Sequence, residues 1–443
     1  MAIFIIILYF ILLLFMNALI KDRASYIYIL FYVSFWMISL AVSTFNPIGL
    51  YPVSDKVYFL SLLNVFSFFI GFSVIKCRVL YTNKVYSEVF DDAFSRFTSN
   101  KFVIFTIICA IIFIVITAKK QMALLAVDPS YLGDIVNEGE QDLLFANSYL
   151  SIIYNIVIPS FHHLFLLLFP IALIKKKRML SLLILVFIAS RSLIGGSRDS
   201  VFIILVYFVA VFALKNILFL NEYRKKLPVK VIVLVLIVLL LAFIVLIYVT
   251  ALRHGDVEFS FDTIKYYGSS IYQTFINYSC GPFRAFDYGL TNHYFEYAGG
   301  PTLGRSTLSG LEDFVSLFLN RLGFNINPIS ELTVKHQQDV RFSVSNTFFQ
   351  FNYAFTNSMI FYYDFKGFGV ALFSFLFGMT TRSIIREAYR NLTIPIAALA
   401  TFFFFGLYKS TFTWFLIKSW AWLYLIILII WHIYEKNHKY KTT

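Results

Sequence analysis

Three arginines stand where long apolar runs stop. Arg191 sits in Ser190-Arg191-Ser192, near the end of one run. Arg198 follows Gly195-Gly196-Ser197 and opens the next run with Asp199 and Ser200. Arg253 closes a later run in Ala251-Leu252-Arg253-His254-Gly255. A guanidinium stays charged at any working pH, and its planar fork of donors matches phosphate oxygens two at a time. The glycines at 195 and 196 let backbone N–H groups come close to an anion, and the helix that follows offers its N-terminus. Such a set can neutralise a phosphate or diphosphate at a membrane surface without a metal or other cofactor. A plainer reading is also open: cationic side chains at span ends anchor helices by snorkelling to the interface.

Other chemistry is thinly represented. There is no P-loop, dinucleotide fingerprint, Cys-x-x-Cys pair, His-Glu-x-x-His or Gly-x-Ser-x-Gly. His162-His163 lies inside an apolar run with no further ligands evident, which reads as a helix-packing pair rather than a metal site. The cysteines at 77, 109 and 280 fall on a loop, inside a helix and in a second loop, so neither a disulfide framework nor a metal cluster is expected.

The elements that must position these residues are transmembrane helices. The chain of 443 residues is 59% hydrophobic with a mean hydropathy of +0.77, and only 14% of it is charged. Soluble domains carry about 25% charged residues, so lipid must solvate most of this chain. Apolar stretches occur at 2–20, 25–45, 57–75, 102–118, 148–174, 179–194, 200–220, 229–251, 367–385, 394–411 and 413–434. They are continuous rather than alternating, which excludes a barrel. The expected fold is an all-α polytopic membrane protein of about eleven transmembrane helices, with one large outer loop. The first run lacks a basic leader and a cleavage site, and reads as a retained helix.

Basic clusters fall on alternate connections: Lys21/Arg23, Lys76 to Lys101, Lys175 to Arg178, Arg224 to Lys226, Arg382/Arg386/Arg390 and the tail. They hold nearly all of the formal net charge of +13. The positive-inside rule makes those connections cytoplasmic, and no run is suited to nucleic acid. The chain then divides into eight helices over 1–251, an outer loop over 252–365 and three helices over 366–443. The segment 343–363 is apolar but broken by Asn346, Gln350, Asn352, Asn357 and Ser358. If it spanned, the later basic clusters would move outside, so it is expected to dip into the outer leaflet or to pack as a helix on the bundle. Leu308, Leu311, Phe314, Val315, Phe318, Leu319 and Leu322 recur at helical spacing, which predicts an amphipathic helix at the interface. The loop also carries Arg284, Arg305, Arg321, His336 and Arg341 among Tyr278, Phe283, Tyr288, Tyr294 and Tyr297. Aromatic faces beside polar groups suit sugar rings, although an ordinary packed loop has the same composition.

The placement of Arg198 and Arg253 around the last spans before the long loop resembles the bacterial O-antigen polymerases, the oligosaccharide repeat unit polymerases. So does the later run Asn346-Thr347, then Tyr363-Asp364-Phe365-Lys366-Gly367, Gly369 and Gly378. Lys366 departs from that family's Asp-Phe-Gly pattern. The resemblance implies a membrane glycosyltransferase with a helical body of the GT-C kind and an active site at the periplasmic face of the bacterial inner membrane. It would move a growing glycan from undecaprenyl diphosphate to the next lipid-linked repeat unit, in a membrane that also holds a chain-length regulator as a partner. Arg198 and Arg253 would stabilise the diphosphate leaving group, with Asp364, His254 or His336 as base. Arg191, Arg284, Arg305, Arg341, Tyr278 and Asn346 would bind substrate. An O-antigen ligase shares this architecture and donor. A flippase for the same lipid-linked unit is the rival of another class.

Overall fold

A computed structural model describes residues 2–47, 49–76, 84–127, 148–195, 199–218, 244, 247, 261–296, 300–330, 336 and 355–442. Among these residues the regular structure is helical, with no strand. The helices are α1 (Ala2–Leu19), α2 (Arg23–Phe45), α3 (Asp55–Val74), α4 (Lys84–Ser99) and α5 (Lys101–Val127). Next come α6 (Ser148–Ile152), a π-helical turn (Ile153–Val157), α7 (Ile158–Ile174), α8 (Arg178–Gly195), α9 (Asp199–Ala213) and α10 (Lys215–Leu218). The last are α11 (Phe261–Thr291), α12 (Ser309–Leu319), α13 (Asn357–Arg390), α14 (Ile394–Lys409) and α15 (Ser419–Thr442).

Five described helical stretches are long and apolar enough to cross a membrane: Arg23–Phe45, Asp55–Val74, Lys101–Lys120, Tyr149–Ile174 and Asn357–Arg390. Shorter apolar helices cover Ile3–Met16, Phe202–Ala213 and Ile394–Lys409. This is the make-up of a helical membrane protein. The expected run at 229–251 lies outside the described residues except for 244 and 247. The segment 252–365, expected as an outer loop, contains α11, 31 residues long.

The contacts group the chain into two units. The first comprises Met1–Tyr81, Tyr272–Arg390 and Phe402–Ile430. Its spine is α3 packed antiparallel on α13, with Gly71 against the Phe375 carbonyl and Gly378 against the Phe68 carbonyl. A Cβ at either glycine would fall 2.0 or 2.1 Å from that oxygen. Without a hydrophobic drive between helices in lipid, such close backbone approach supplies the packing energy. Ser374 donates to Asn64, whose amide donates to the Tyr32 hydroxyl at 3.0 Å, so these three buried side chains of the seam are paired. A column of rings continues the seam: Tyr32 on Phe68 at 4.0 Å, Phe68 on Phe377 at 5.2 Å and Phe377 on Trp414 at 5.0 Å.

At one end of this unit, Asp22 caps α2 by accepting from the Ser25 N–H at 3.0 Å, and it also pairs with Arg382. At the other end of α2, Asn46 takes a left-handed conformation. Its side chain brackets the turn by accepting from Leu50 N and donating to Leu50 O. The amphipathic reading of 308–322 matches α12 and the 3₁₀ turn Asn320–Leu322 that follows. Leu308, Val315, Phe318 and Leu322 form its exposed apolar side, while Gly310 packs onto the backbone of Leu416 and Ile417.

The second unit comprises Thr82–Ile271, Asn391–Thr401 and Trp431–Thr443. α7 is buried almost all round, as its continuous apolar sequence requires. It packs on α8 and α9, and α5 packs on α8. Below α7, Lys175 pairs with Asp91 of α4 and lies over the rings of Phe90 and Phe94. Burial pulls its ammonium below the ordinary lysine value, and Asp91 opposes that pull.

Candidate functional site

The most heavily hydrogen-bonded carboxylate among the described residues is Asp364, on the first turns of α13 and fully buried. One oxygen accepts from the Thr302 hydroxyl at 2.6 Å, Gly304 N at 2.8 Å and Ser306 N at 3.0 Å. The other accepts from Thr307 N at 2.9 Å and from the Thr307 hydroxyl. The segment Pro301-Thr302-Leu303-Gly304-Arg305-Ser306-Thr307 can wrap a carboxylate because Leu303 and Gly304 both take positive φ, at 55° and 93°. That turns the backbone N–H groups of Gly304, Ser306 and Thr307 inward, the anion-binding concavity expected of such loops. Thr302 N also donates to Tyr363 O, and Trp414 Nε1 donates to Thr307 O at 2.9 Å, so the loop is fixed on both sides.

Directly after Asp364 the helix breaks at Phe365 (φ −145°, ψ 30°) and Lys366 (φ 54°, ψ −136°). The turn falls on Lys366, one residue before Gly367, although its φ is one that favours glycine. Gly369 serves otherwise: a Cβ there would lie 2.2 Å from the Phe361 carbonyl, so it allows the broken ends of α13 to close together.

Behind the clasp, the Tyr363 hydroxyl is hydrogen-bonded to His336 Nδ1. The His336 ring lies parallel to Tyr294 at 4.5 Å, and Tyr294 lies 5.8 Å from Tyr288. Tyr288 and Tyr294 are partly exposed, while His336 is fully buried behind them. The structure therefore brings together Asp364, Tyr363, His336 and two tyrosine faces. Asp364 is saturated by its own loop, so in this arrangement it positions the segment rather than meeting solvent. Thr302, Gly304, Ser306, Thr307 and Trp414 escaped the sequence reading. Their signal was a hydroxyl- and glycine-rich stretch that needs an acceptor.

The remaining candidates part company. Arg284 is 4% exposed. It donates to Tyr51 O at 2.7 Å, Ser43 Oγ at 2.8 Å, Cys280 O at 2.9 Å and Ser43 O at 3.1 Å. Burial lowers its guanidinium from the ordinary value, and these carbonyls make it an internal brace between α2 and α11. Arg305 is half-exposed and pairs with Glu312, whose hydrogen bond holds its guanidinium above the usual value. Tyr278 packs edge-on against Phe412 at 5.9 Å. Arg191 lies in the second unit, on α8. Arg198, Arg253, His254, Arg341 and Asn346 lie outside the described residues. Among the described residues no group of three or more His, Cys, Asp or Glu is placed to hold a metal.

Compared with protein-family models, characterised proteins and solved structures, the chain finds no match in any of the three.

Proposed function

We propose that this protein is a membrane glycosyltransferase that polymerises lipid-diphosphate-linked oligosaccharide repeat units at the periplasmic face of a bacterial inner membrane. The observation that supports it best is the Asp364 clasp with the aromatic set behind it. A fixed segment, two half-exposed tyrosine faces and a histidine beside a tyrosine hydroxyl suit a sugar chain lying at a membrane surface. The leaving group is a lipid diphosphate. Arg198 and Arg253, which end apolar runs in the sequence, would stabilise the charge that develops on it. A base would take the acceptor hydroxyl's proton. Asp364 and His336 are both enclosed, and His254, which lies outside the described residues, is the third candidate.

The test is polymer formation from purified lipid-linked repeat units with each arginine variant at matched membrane levels. Loss of a preorganised cation is expected to lower the rate on the order of 100-fold to 1000-fold, with lysine rescuing poorly. Near-normal rates in both Arg198→Lys and Arg253→Lys remove the assignment. Surface polysaccharide from a deletion strain separates the rivals. A single repeat on the lipid core marks a polymerase. Bare core with accumulated lipid-linked polymer marks a ligase.

One observation favours a second reading. Ionisable groups inside a membrane bundle are frequent in transport pathways, and Arg191 and His162 are such groups. A flippase for the same lipid-linked unit would leave bare core with no outward-facing units.

A further inference from the structure

His162 and Arg191 occupy one level of the second unit. Lys175 lies 13 residues beyond His162 on the α7 side (175 − 162), and Arg191 lies 13 residues beyond Arg178 on α8 (191 − 178). At 1.5 Å per residue, each is about 20 Å from the Lys175–Arg178 turn, well inside a bilayer core of about 30 Å. Phe187 and Arg191 are four residues apart and share a face of α8. The His162 ring lies 6.0 Å from Phe187, which places Arg191 beside it, and Arg191 acts electrostatically on both His162 and Tyr154.

The two histidines differ. His163 Nδ1 is hydrogen-bonded to the Tyr207 hydroxyl of α9 at 2.7 Å. His162, 3% exposed, has no hydrogen-bond partner at Nδ1, and neither has the buried Nη1 of Arg191. Arg191 is partly buried and its Nη1 is enclosed, whereas a head group snorkelled fully into water would have neither terminal nitrogen enclosed. The π-helical turn Ile153–Val157 leads directly into α7 and carries Tyr154, on which Arg191 also acts. Such turns are rare and cluster at functional sites. The titratable groups shown to act with the guanidinium are thus His162 and Tyr154, with His163 and its partner Tyr207 next to His162, and no carboxylate is paired to it among the described residues.

We propose that α7, α8 and the π-helical turn form an anion site in which Arg191 and His162 together take a phosphoryl oxygen. The fork of Arg191 supplies the charge, and the Nδ1 of His162 supplies a directed donor in the corresponding tautomer or when protonated. The source of the oxygen is a prenyl-linked phosphate or a free one. That the substrate is lipid-linked rests on the function proposed above, while the phosphoryl chemistry does not.

The test is direct binding to the purified full-length protein in detergent, with farnesyl diphosphate and inorganic diphosphate as probes. Arg191→Gln and His162→Gln keep near-native volume, and each is checked for unchanged elution and melting. At least a tenfold weakening in Arg191→Gln is expected, with a smaller loss in His162→Gln and partial recovery in Arg191→Lys. Arg191-dependent binding of both probes supports a site that reads the phosphate alone. Arg191-dependent binding of farnesyl diphosphate alone supports a lipid-linked source. Affinity for both probes unchanged in well-folded Arg191→Gln overturns the site. Binding needs no glycan transfer, so a protein that fails as a polymerase can still pass this test.

Discussion

Arg382 Nη1 lies 2.7 Å from Asp22 Oδ2, with the two side chains 7% and 1% exposed. The pair joins the start of α2 to the far part of α13, and Arg382 Nε also donates to the Ile75 carbonyl at the end of α3. Its guanidinium stacks 5.1 Å from the centre of the Phe72 ring. Three helix ends from distant parts of the sequence therefore meet on one charge pair. Removing either partner leaves the other buried and uncompensated, which costs about 3–5 kcal/mol. Arg382→Met and Asp22→Leu should each lower the melting temperature in detergent, while the double variant recovers much of the loss. Additive losses would show that the two residues act separately.

The same pair bears on topology. Asp22 lies between Lys21 and Arg23, so Arg382 shares a side with the first basic loop, as charge counting requires. In a background without Cys77, Cys109 and Cys280, an impermeant thiol reagent should label a cysteine at position 335 in cells with a permeable outer membrane. It should not label one at position 386. Labelling at 386 would mean that the segment before α13 crosses the membrane.

Much of this unit was legible in the sequence. Continuous apolar runs predict α1, α2 and α3 nearly to the residue, and the spacing of Leu308 to Leu322 predicts α12. What was not legible is contact between residues far apart. Neither Gly71 nor Gly378 announces that it faces a carbonyl on the other helix. Arg284 reads as a free loop cation until Ser43 and Tyr51 are seen to fold onto it. Asp364 was recognisable as special, but its partners lie about sixty residues upstream in a stretch without apolar periodicity.

Gly378→Leu should separate α3 from α13. A Cβ at that position already meets the Phe68 carbonyl at 2.1 Å, and overpacking of this kind costs about 1–3 kcal/mol or more. The expected readout is lower yield and an earlier melt. Gly49→Ala is a poor control because of its positive φ, whereas Gly268, with nothing near its Cβ position, should tolerate alanine. Equal melts for Gly378→Leu and wild type would show that the helices do not approach this closely.

Lys366→Gly should stabilise the protein. The lysine holds φ 54° and ψ −136°, where a side chain is strained, and relief of such strain is worth about 1–3 kcal/mol, partly offset by the unfolded-state entropy of glycine. The side chain is exposed, so little packing is lost. A rise of a few degrees in melting temperature is expected. A fall would mean that the ammonium makes a contact stronger than the strain it imposes.

Asp364→Asn should release the 302–307 segment. The carboxylate accepts five hydrogen bonds and has no donor of its own to offer. An amide turns one of its two oxygens into an NH₂ group, which then faces backbone N–H groups that must donate. Hydrogen bonds to a charged acceptor contribute about 1.5–3 kcal/mol each, and leaving buried donors without an acceptor costs a similar amount. The helices of α13 do not depend on this contact, so the variant should insert and accumulate normally. The change should appear locally, as protease cleavage near Leu303 to Arg305 that wild type resists. Trp414 gives a second readout, because its Nε1 hydrogen bond to Thr307 O reports on the same segment through tryptophan fluorescence. If transfer activity falls while helix content and melting stay near wild type, Asp364 acts by holding this segment in place. If cleavage and fluorescence both match wild type, the clasp does not govern the loop and Asp364 must be assigned another part.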